Sequence, residues 1–313
     1  MFIKNLKEGQ QLTEEAFYIL DVSKQTKKDG GPYVKFVLGD GYQNIDAVCW
    51  DYIESEYKQI KISQSIKVSG TVGTYKNGLQ INISALSAHD NPEMLIPTLD
   101  EKAIEKLKEE YTKLKNSLND EDTLFMDKVE AMVGDEFFKA PGAARNHHSY
   151  LGGLAEHTIA VALSSLSIAK VYSESANIDI SLLILGSLVH DIGKLWENGY
   201  SSYPFVKTAE AQLLSRNSCG HIIIGLQFIG KVCADVKYSK RMLLEHIIAS
   251  HHERIEWGAI VEPKTIEANI VARADYLDFF IKRFQVLKED GANEIGFTNY
   301  DKALGRRLFI GKE

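Results

Sequence analysis

The sequence contains few cysteines and no long uncharged hydrophobic segment. Its 313 residues include Cys49, Cys219 and Cys233, an odd number without CxxC spacing. This set argues against a disulfide framework and against a cysteine-based metal site. No stretch resembles the roughly 20 apolar residues of a transmembrane helix, and the first ten residues lack the apolar core of a secretion signal. We therefore expect a cytoplasmic protein with no membrane partner.

The chain also lacks an excess of positive charge. Its formal net charge is −7 at pH 7, which disfavours capture of nucleic acid by bulk electrostatic attraction. Any contact with a phosphate backbone must therefore be local. Lys24, Lys27, Lys28 and Lys35 lie close together with Asp29 against them, and this cluster could meet a phosphate backbone. A solvated loop is the alternative interpretation of the same cluster.

Short β-branched and aromatic segments follow one another from Phe17 to about Ser87. We read five strands in this region: AFYILDV, PYVKFVLGD, NIDAVCWD, SIKVSGTVGTY and LQINIS. The turn sequences DGG, DGY and KNG separate them, and Asn-Gly is typical of a tight hairpin. Five short strands favour a small barrel, because closure removes exposed strand edges.

The hydrophobic period changes from about 2 to about 3.6 after Pro97. The first helical stripe is Ile104, Leu107, Tyr111, Leu114 and Leu118, with Thr98 or Asp100 as its N-cap. Apolar segments at helical spacing continue to the C-terminus. We therefore predict a multi-domain chain: a small all-β barrel in residues 1–90, a linker and connecting helix in residues 91–120, and an all-α domain in residues 121–313.

Most of the nine histidines lie between His147 and His252, beside acidic residues. Several histidines and aspartates on consecutive helices are the material of a metal site. The sharpest element is SLLILGSLVHDIGK, in which an apolar helix ends at His190 and Asp191. A buried carboxylate at this point is costly unless it is paired or coordinates a metal. A hydrogen-bonded His–Asp pair that caps the helix is the alternative interpretation.

These motifs resemble a known family. His157, HDIGK at 190–194 and Asp275 in ARADYLD resemble the H…HD…D signature of the HD superfamily of metal-dependent phosphohydrolases. The GH pair at 220–221 and SHHER at 250–254 resemble the five-histidine form of that superfamily, which binds two metals. HHSYLGGLAEHT, HDIGK and LLEHIIASHHE are similar to YhaM-type 3′-to-5′ exoribonucleases, which place an OB-fold before the HD domain. The resemblance covers nearly the whole chain.

The resemblance implies a set of metal ligands and catalytic residues. It assigns one divalent ion to His157, His190, Asp191 and Asp275, and a second to Asp191, His221, His251 and His252. Asp191 would bridge the two ions, while His252 as a substrate contact is the alternative. The resemblance favours Mn²⁺, and mixed imidazole and carboxylate ligands also suit Fe²⁺, Co²⁺ or Zn²⁺. Lys194, His148 and Arg145 are the candidates for contacts to the phosphate and the leaving group.

The N-terminal segments are similar to OB-folds of RNA-interacting proteins. OB strands present aromatic rings for base stacking and lysines for contact with the backbone. The candidates are Tyr33, Phe36, Trp50 and Tyr75 for stacking, with Lys35 and Lys76 beside them. Alternating aromatic residues also form the core of a small barrel, so we expect about half of these rings to face inward.

The expected function is metal-dependent 3′-to-5′ exoribonuclease activity that hydrolyses single-stranded RNA to nucleoside monophosphates. Single-stranded DNA is a further candidate substrate. One alternative is an HD enzyme that hydrolyses a nucleotide or cyclic dinucleotide, with the OB domain as a sensor. Another is a non-catalytic nucleic-acid-binding protein, which the complete ligand set argues against. The sequence does not decide whether the protein forms a homo-oligomer.

Overall fold

The fold was analysed in a computed structural model. It describes residues 3–41, 43–51, 65–75, 78–89, 96–143, 148–172, 175–199, 205–214, 220–235, 237–289 and 295–311. The chain divides into two compact units. The first comprises Met1–Pro97 with Gly199–Val206, and the second comprises Thr98–Asn198 with Lys207–Glu313.

The first unit is a closed barrel. Its strands are β1 (Gln11–Thr26), β2 (Pro32–Gly39), β3 (Asn44–Cys49), β4 (Ser65–Tyr75) and β5 (Gly78–Ala88). They follow the order β1-β2-β3-β5-β4 around the barrel, and β4 closes it against β1. All neighbours are antiparallel except β3 and β5, which are parallel. The Lys76–Asn77 turn between β4 and β5 lies outside the described residues.

Strand β1 is longer than the predicted segment AFYILDV, because it serves two neighbours. Its first half pairs with β4 and its second half with β2, with register shifts between Leu12 and Glu15 and between Ile19 and Asp21. Such bulges bend a strand and increase its twist, which allows one strand to turn a barrel corner. At Gly70, a side chain would place its Cβ 2.2 Å from the carbonyl oxygen of Asn82. Glycine is therefore required where β4 and β5 approach.

The second unit is helical. Its helices are α1 (Glu101–Lys115), α2 (Asp120–Val133), α3 (Gly153–Val171), α4 (Ile180–Val189), α5 (Lys194–Glu197), α6 (Ala209–Leu214), α7 (Gly220–Asp235), α8 (Arg241–Ser250) and α9 (Ile266–Glu289). A short ribbon pairs β6 (Asn198–Gly199) with β7 (Val206–Lys207). The predicted fold class, a small all-β barrel followed by a helical domain, is confirmed. The predicted boundaries at residues 90 and 120 stay predictions.

Helix starts follow the local sequence. The Asp100 side chain caps α1 by accepting the amide of Ala103 at 2.7 Å, which decides between the two predicted caps. Asp179 caps α4 by accepting the amide of Leu182 at 2.9 Å. An N-cap of this kind satisfies one of the free amides that begin a helix. These caps fix where each helix begins.

Helices α3 and α4 form the centre of the helical unit and pack against each other and against α9. By length and composition α3 could cross a membrane, but half of its apolar window is buried inside the domain. Core helices of globular domains pass the same test. Helix α3 also carries His157, which is buried in the interior.

Candidate metal centre

The sequence HDIGK places a histidine and an aspartate at the end of a buried helix. Helix α4 ends at Val189, and the next two residues, His190 and Asp191, are at most 1% exposed. A side chain at Gly193 would place its Cβ 1.9 Å from the carbonyl oxygen of His221 on α7. Glycine thus allows the turn to contact α7 directly. This contact brings Asp191 and His221 together.

A first group of side chains surrounds the Nε2 atom of His157. This atom lies 3.2 Å from Oδ2 of Asp191, 3.2 Å from Oδ1 of Asp275 and 3.2 Å from Nε2 of His190. The Nε2 atom of His190 lies 3.5 Å from the same Asp191 oxygen. The sequence assigned these four residues to one ion. The structure brings them together from α3, the end of α4 and α9.

A second group surrounds the other oxygen of the same aspartate. Oδ1 of Asp191 lies 3.4 Å from Nε2 of His221 and 3.4 Å from Nε2 of His251. His252 offers a further nitrogen, since His221, His251 and His252 each place one within 4.8 Å of the others. Asp191 therefore contributes one oxygen to each group.

Three atoms of the second group are buried without a hydrogen-bond partner. They are Oδ1 of Asp191, Nε2 of His221 and Nε2 of His251. Each of the two nitrogens lies within ion-pair distance of the Asp191 oxygen but lacks hydrogen-bonding geometry. Buried polar atoms normally find a partner, and a shared cation would satisfy all three. The residues therefore fit a metal ion.

Two carboxylates orient histidines of the two groups from the side opposite Asp191. Asp278 places Oδ2 2.7 Å from Nδ1 of His157, and Glu197 places Oε1 3.3 Å from Nδ1 of His221. An ionised carboxylate only accepts hydrogen bonds, so each Nδ1 donates and Nε2 is the nitrogen that faces the other residues of its group. The remaining three histidines direct Nδ1 at backbone carbonyls: His190 at Ser187 (2.7 Å), His251 at Ile248 (2.8 Å) and His252 at Trp257 (3.2 Å).

The charges of the centre suit ligation. Burial disfavours the charged form of Asp191, but Lys194 and His190 outweigh it and hold the pKa of this carboxyl well below its usual range. Lys194 contributes directly, because its Nζ lies 2.6 Å from Oδ2. Burial lowers the pKa of His190 to about 4, and burial with the neighbouring histidines lowers the pKa of His252 well below its usual value. Neutral imidazole and ionised carboxylate are the ligand forms that metals bind.

The pKa of His157 is shifted in the opposite direction, upward. Burial alone would lower the pKa of this imidazole, but hydrogen bonds to Asp191, Asp275 and Asp278 raise it well above its usual value. A cation held by this nitrogen would displace the proton from Nε2, so binding of a metal to the first group would release a proton.

His148 lies behind His157 and is 1% exposed. Its Nε2 is 2.8 Å from Oδ2 of Asp278, and its Nδ1 is 2.9 Å from Oε2 of Glu156. Both ring nitrogens thus face carboxylates. The predicted contact of His148 with phosphate has no support in this arrangement. The other predicted phosphate contact in this segment, Arg145, lies outside the described residues.

His246 stands apart from both groups. Its Nε2 accepts the backbone amide of Lys264 at 2.8 Å, which ties α8 to the following loop. This contact gives His246 a local structural partner.

Four of the six candidate nucleic-acid residues present a side chain at the barrel surface. Trp50 and Tyr75 are 47% and 50% exposed. Tyr33 stacks on Trp50, with ring centroids 4.7 Å apart, and Lys35 is exposed beside them on β2. Phe36 instead belongs to the barrel core and is 2% exposed. Its predicted stacking role is therefore not available in this fold, while Lys76 lies outside the described residues.

Sequence reasoning did not identify Asp278 and Glu197. Asp278 follows the candidate ligand Asp275 by three residues, so the two share a face of α9. Glu197 follows Lys194 by the same interval. Helical spacing from a recognised motif residue was the available signal for both.

Comparison with known proteins matches each unit to a described domain. An OB-fold nucleic acid binding domain matches residues 19–87, and an HD domain matches residues 154–279. The chain thus carries an OB-fold domain followed by an HD domain. The HD domain indicates a metal-dependent phosphohydrolase, and its matched residues include every residue of the two groups.

Solved structures with similar folds are more distant. A domain of replication protein A from Methanococcus maripaludis is 19% identical and covers 28% of this chain and 92% of its own, with a TM-score of 0.24. PriB from Ralstonia solanacearum is 17% identical over 27% of this chain and 99% of its own, with a TM-score of 0.22. Entamoeba histolytica asparaginyl-tRNA synthetase is 12% identical over 42% of this chain and 36% of its own, with a TM-score of 0.20. At these scores the likeness supports no statement about function.

Proposed function

We propose that the protein is a cytoplasmic, metal-dependent 3′-to-5′ exoribonuclease that degrades single-stranded RNA, and also single-stranded DNA, to nucleoside monophosphates. The observation that carries the hydrolytic part is the position of Asp191. Its two oxygens face two groups of histidine and aspartate side chains, and three buried atoms of these groups lack a partner. The polarity of degradation rests on the resemblance of the ordered motifs to YhaM-type exoribonucleases.

Two divalent ions are the cofactors that this arrangement supports. His157, His190 and Asp275 with Asp191 would hold one, and His221, His251 and His252 with Asp191 would hold the other. Mixed imidazole and carboxylate donors suit Mn²⁺, Fe²⁺, Co²⁺ or Zn²⁺, and the resemblance favours Mn²⁺. When bound, such ions supply Lewis-acid activation of a phosphodiester and make water acidic enough to react near neutral pH.

The protein's own side chains supply binding and orientation. Lys194 keeps Asp191 ionised, and its Nζ lies 2.6 Å from the Asp191 carboxylate, where it can meet a phosphate oxygen. Asp278 and Glu197 fix the ring orientation of His157 and His221. For His148 we propose a positioning role through Asp278 in place of a phosphate contact.

We assign binding of the single-stranded nucleic acid to the OB domain. Exposed Trp50 stacks on the half-buried Tyr33, and Lys35 and Tyr75 line a groove of about 150 Å³ on the same barrel, together with Asp21 and Asp46. Stacking is worth about 1–3 kcal/mol per base and accepts any base. Two or three rings with a nearby lysine can therefore recruit a single strand despite the net charge of −7.

Digestion of RNA and DNA labelled at the 5′ end, with Mn²⁺ added to metal-free protein, tests the proposal. We expect a ladder that shortens progressively, release of nucleoside monophosphates, and slower cleavage when the 3′ terminus is blocked. Immediate release of the labelled end nucleotide would contradict the polarity. Insensitivity to the 3′ block would indicate an endonuclease, and turnover of cyclic dinucleotides alone would replace the proposal with the sensor alternative.

A further inference from the structure

A cavity of about 560 Å³ opens beside the candidate metal centre in the helical unit. His251, His252, Asp275 and Lys194 line one side of it. Its volume lies within the roughly 300–1,000 Å³ of small-molecule pockets. The cavity is therefore large enough to hold a whole substrate unit next to the metal ligands.

Aromatic rings form another part of the lining. Trp257 and Tyr276 stack with centroids 5.5 Å apart and ring planes within 13°, and Phe279 lies 6.0 Å from Tyr276. Trp257 and Tyr276 remain 44% and 39% exposed. The guanidinium of Arg254 packs 4.8 Å from the Trp257 ring. Exposed flat rings beside a charged centre are the chemistry that binds a nucleobase next to its phosphate.

A C-terminal turn contributes the remaining part of the lining. Lys302, Ala303, Leu304 and Gly305 face the cavity, and Lys302 adds a second cation to Lys194. The turn is fastened to α9, because Arg283 donates two hydrogen bonds to Oδ2 of Asp301, at 2.9 and 2.5 Å. Asp301 also accepts the amide of Leu304 at 2.8 Å. The lining is thus held in place by its own contacts.

We propose that this cavity is the subsite for the terminal nucleotide of the strand. The base stacks on the exposed surface of Trp257 and Tyr276, while Lys194 and Lys302 meet its phosphates. This assignment rests on the proposed function and adds its substrate class: a single-stranded end bearing a base, read by stacking and so tolerant of base identity. The released nucleoside monophosphate is expected to bind in the same place.

Binding of adenosine monophosphate and of ribose 5-phosphate to full-length, Mn²⁺-loaded protein separates base contacts from phosphate contacts. We expect Trp257→Ala and Tyr276→Ala to weaken binding of adenosine monophosphate by about 5- to 150-fold, with little change for ribose 5-phosphate. Tyr276→Phe keeps the ring and should restore binding. Tyr172→Ala, at an exposed tyrosine outside the cavity lining, is the matched control and should not change it.

Metal content and the KM for RNA supply the second readout. The aromatic variants should keep their metal content, while KM for RNA rises. Unchanged affinity of both alanine variants for adenosine monophosphate would overturn the subsite, as would equal losses for both ligands. If Tyr276→Ala fails to fold, Tyr276→Leu fills the space without a ring and must show the same loss.

The two proposals can fail separately. Base-dependent binding that Tyr276→Ala removes, in a protein that hydrolyses neither RNA nor bis(p-nitrophenyl) phosphate, would leave the subsite standing and remove the exonuclease function. If the protein degrades RNA but its alanine variants show no base-dependent loss of binding, the exonuclease function stands and the subsite is removed.

Discussion

The Oδ2 atom of Asp278 lies 2.7 Å from Nδ1 of His157 and 2.8 Å from Nε2 of His148. One carboxylate therefore orients a candidate metal ligand and is itself held by a second buried histidine. Burial disfavours its charge, but the hydrogen bonds from His148 and His157 hold the pKa of Asp278 far below its usual range. The carboxylate is thus ionised whenever the protein is folded near neutral pH.

Asp278→Asn tests this relationship. The amide keeps the size of the side chain but removes the charge that fixes the His157 tautomer, so we expect about a 10- to 100-fold loss of metal affinity and activity. Calorimetric titration of metal-free protein with Mn²⁺ measures it. Asp135→Asn, at an exposed aspartate of the same unit, is the control. An affinity equal to that of wild type would show that Asp278 does not orient the ligand.

Gly193→Ala should disturb the centre through the backbone. The new Cβ would lie 1.9 Å from the carbonyl oxygen of His221 and 2.7 Å from the amide nitrogen of Gly225. We expect a loss of about 1–3 kcal/mol in the free energy of unfolding, with weaker Mn²⁺ binding.

Gly230→Ala, on the helix α7 that carries His221, is the matched control. Its nearest neighbour is the end of the Arg241 side chain at 3.8 Å, so alanine there should stabilise by about 0.4–1 kcal/mol. Urea unfolding followed by circular dichroism compares the two variants. Equal effects of both substitutions would remove the steric argument.

Two aromatic residues of the barrel should respond in opposite ways. Trp50→Ala removes an exposed ring and should weaken single-strand binding by about 1–3 kcal/mol without loss of stability. Phe36→Ala opens the barrel core and should cost about 3–5 kcal/mol of stability. Fluorescence anisotropy with labelled RNA and thermal unfolding measure the two effects. Full RNA affinity in a folded Trp50→Ala variant would show that Trp50 is not part of the binding face.

Asp179 makes the stability of the helical unit depend on pH. Burial raises its pKa, but the amide of Leu182 and the ammonium of Lys240 outweigh this and lower it below 3.8. A depressed folded-state pKa stabilises the protein above the unfolded-state value, and this contribution disappears as the pH falls through the folded-state value. Asparagine can still cap the helix, so Asp179→Asn removes the charge effect alone.

We therefore expect wild type to be more stable than Asp179→Asn at neutral pH and the two to converge below about pH 3.8. Urea unfolding at a series of pH values measures this difference. A difference that persists unchanged in acid would show that the charge is not its source.

The sequence predicted what local pattern can encode. Alternation of the kind seen in β2 was sufficient to predict the barrel. The helical period after Pro97 was sufficient to predict the helical domain. Phe36 shares a strand face with Val34 and Leu38, all buried, whereas Tyr33 and Lys35 lie on the other face. The same alternation could have assigned Phe36 to the core, had the inward face been identified first.

Contacts between segments that are far apart in the sequence could not be predicted from the local pattern. Asp278 bonds to His157 across 121 residues, and its helical spacing from Asp275 does not reveal this partner. The stacking of Trp257 on Tyr276 likewise depends on how the 3₁₀ turn Ile255–Trp257 packs against α9. The HD motif predicted candidate ligands, while the residues that orient them required the fold.

The central claim is that Asp191 serves two metal sites, and the number of Mn²⁺ ions bound per chain tests it most directly. Equilibrium dialysis should give two ions for wild type and one each for His157→Ala and His221→Ala, because these residues belong to different groups. Asp191→Ala should lose both ions at the same Mn²⁺ concentration and lose hydrolysis with them, while circular dichroism shows a folded chain. An Asp191→Ala protein that keeps two ions, or that degrades RNA at the wild-type rate, would contradict the account.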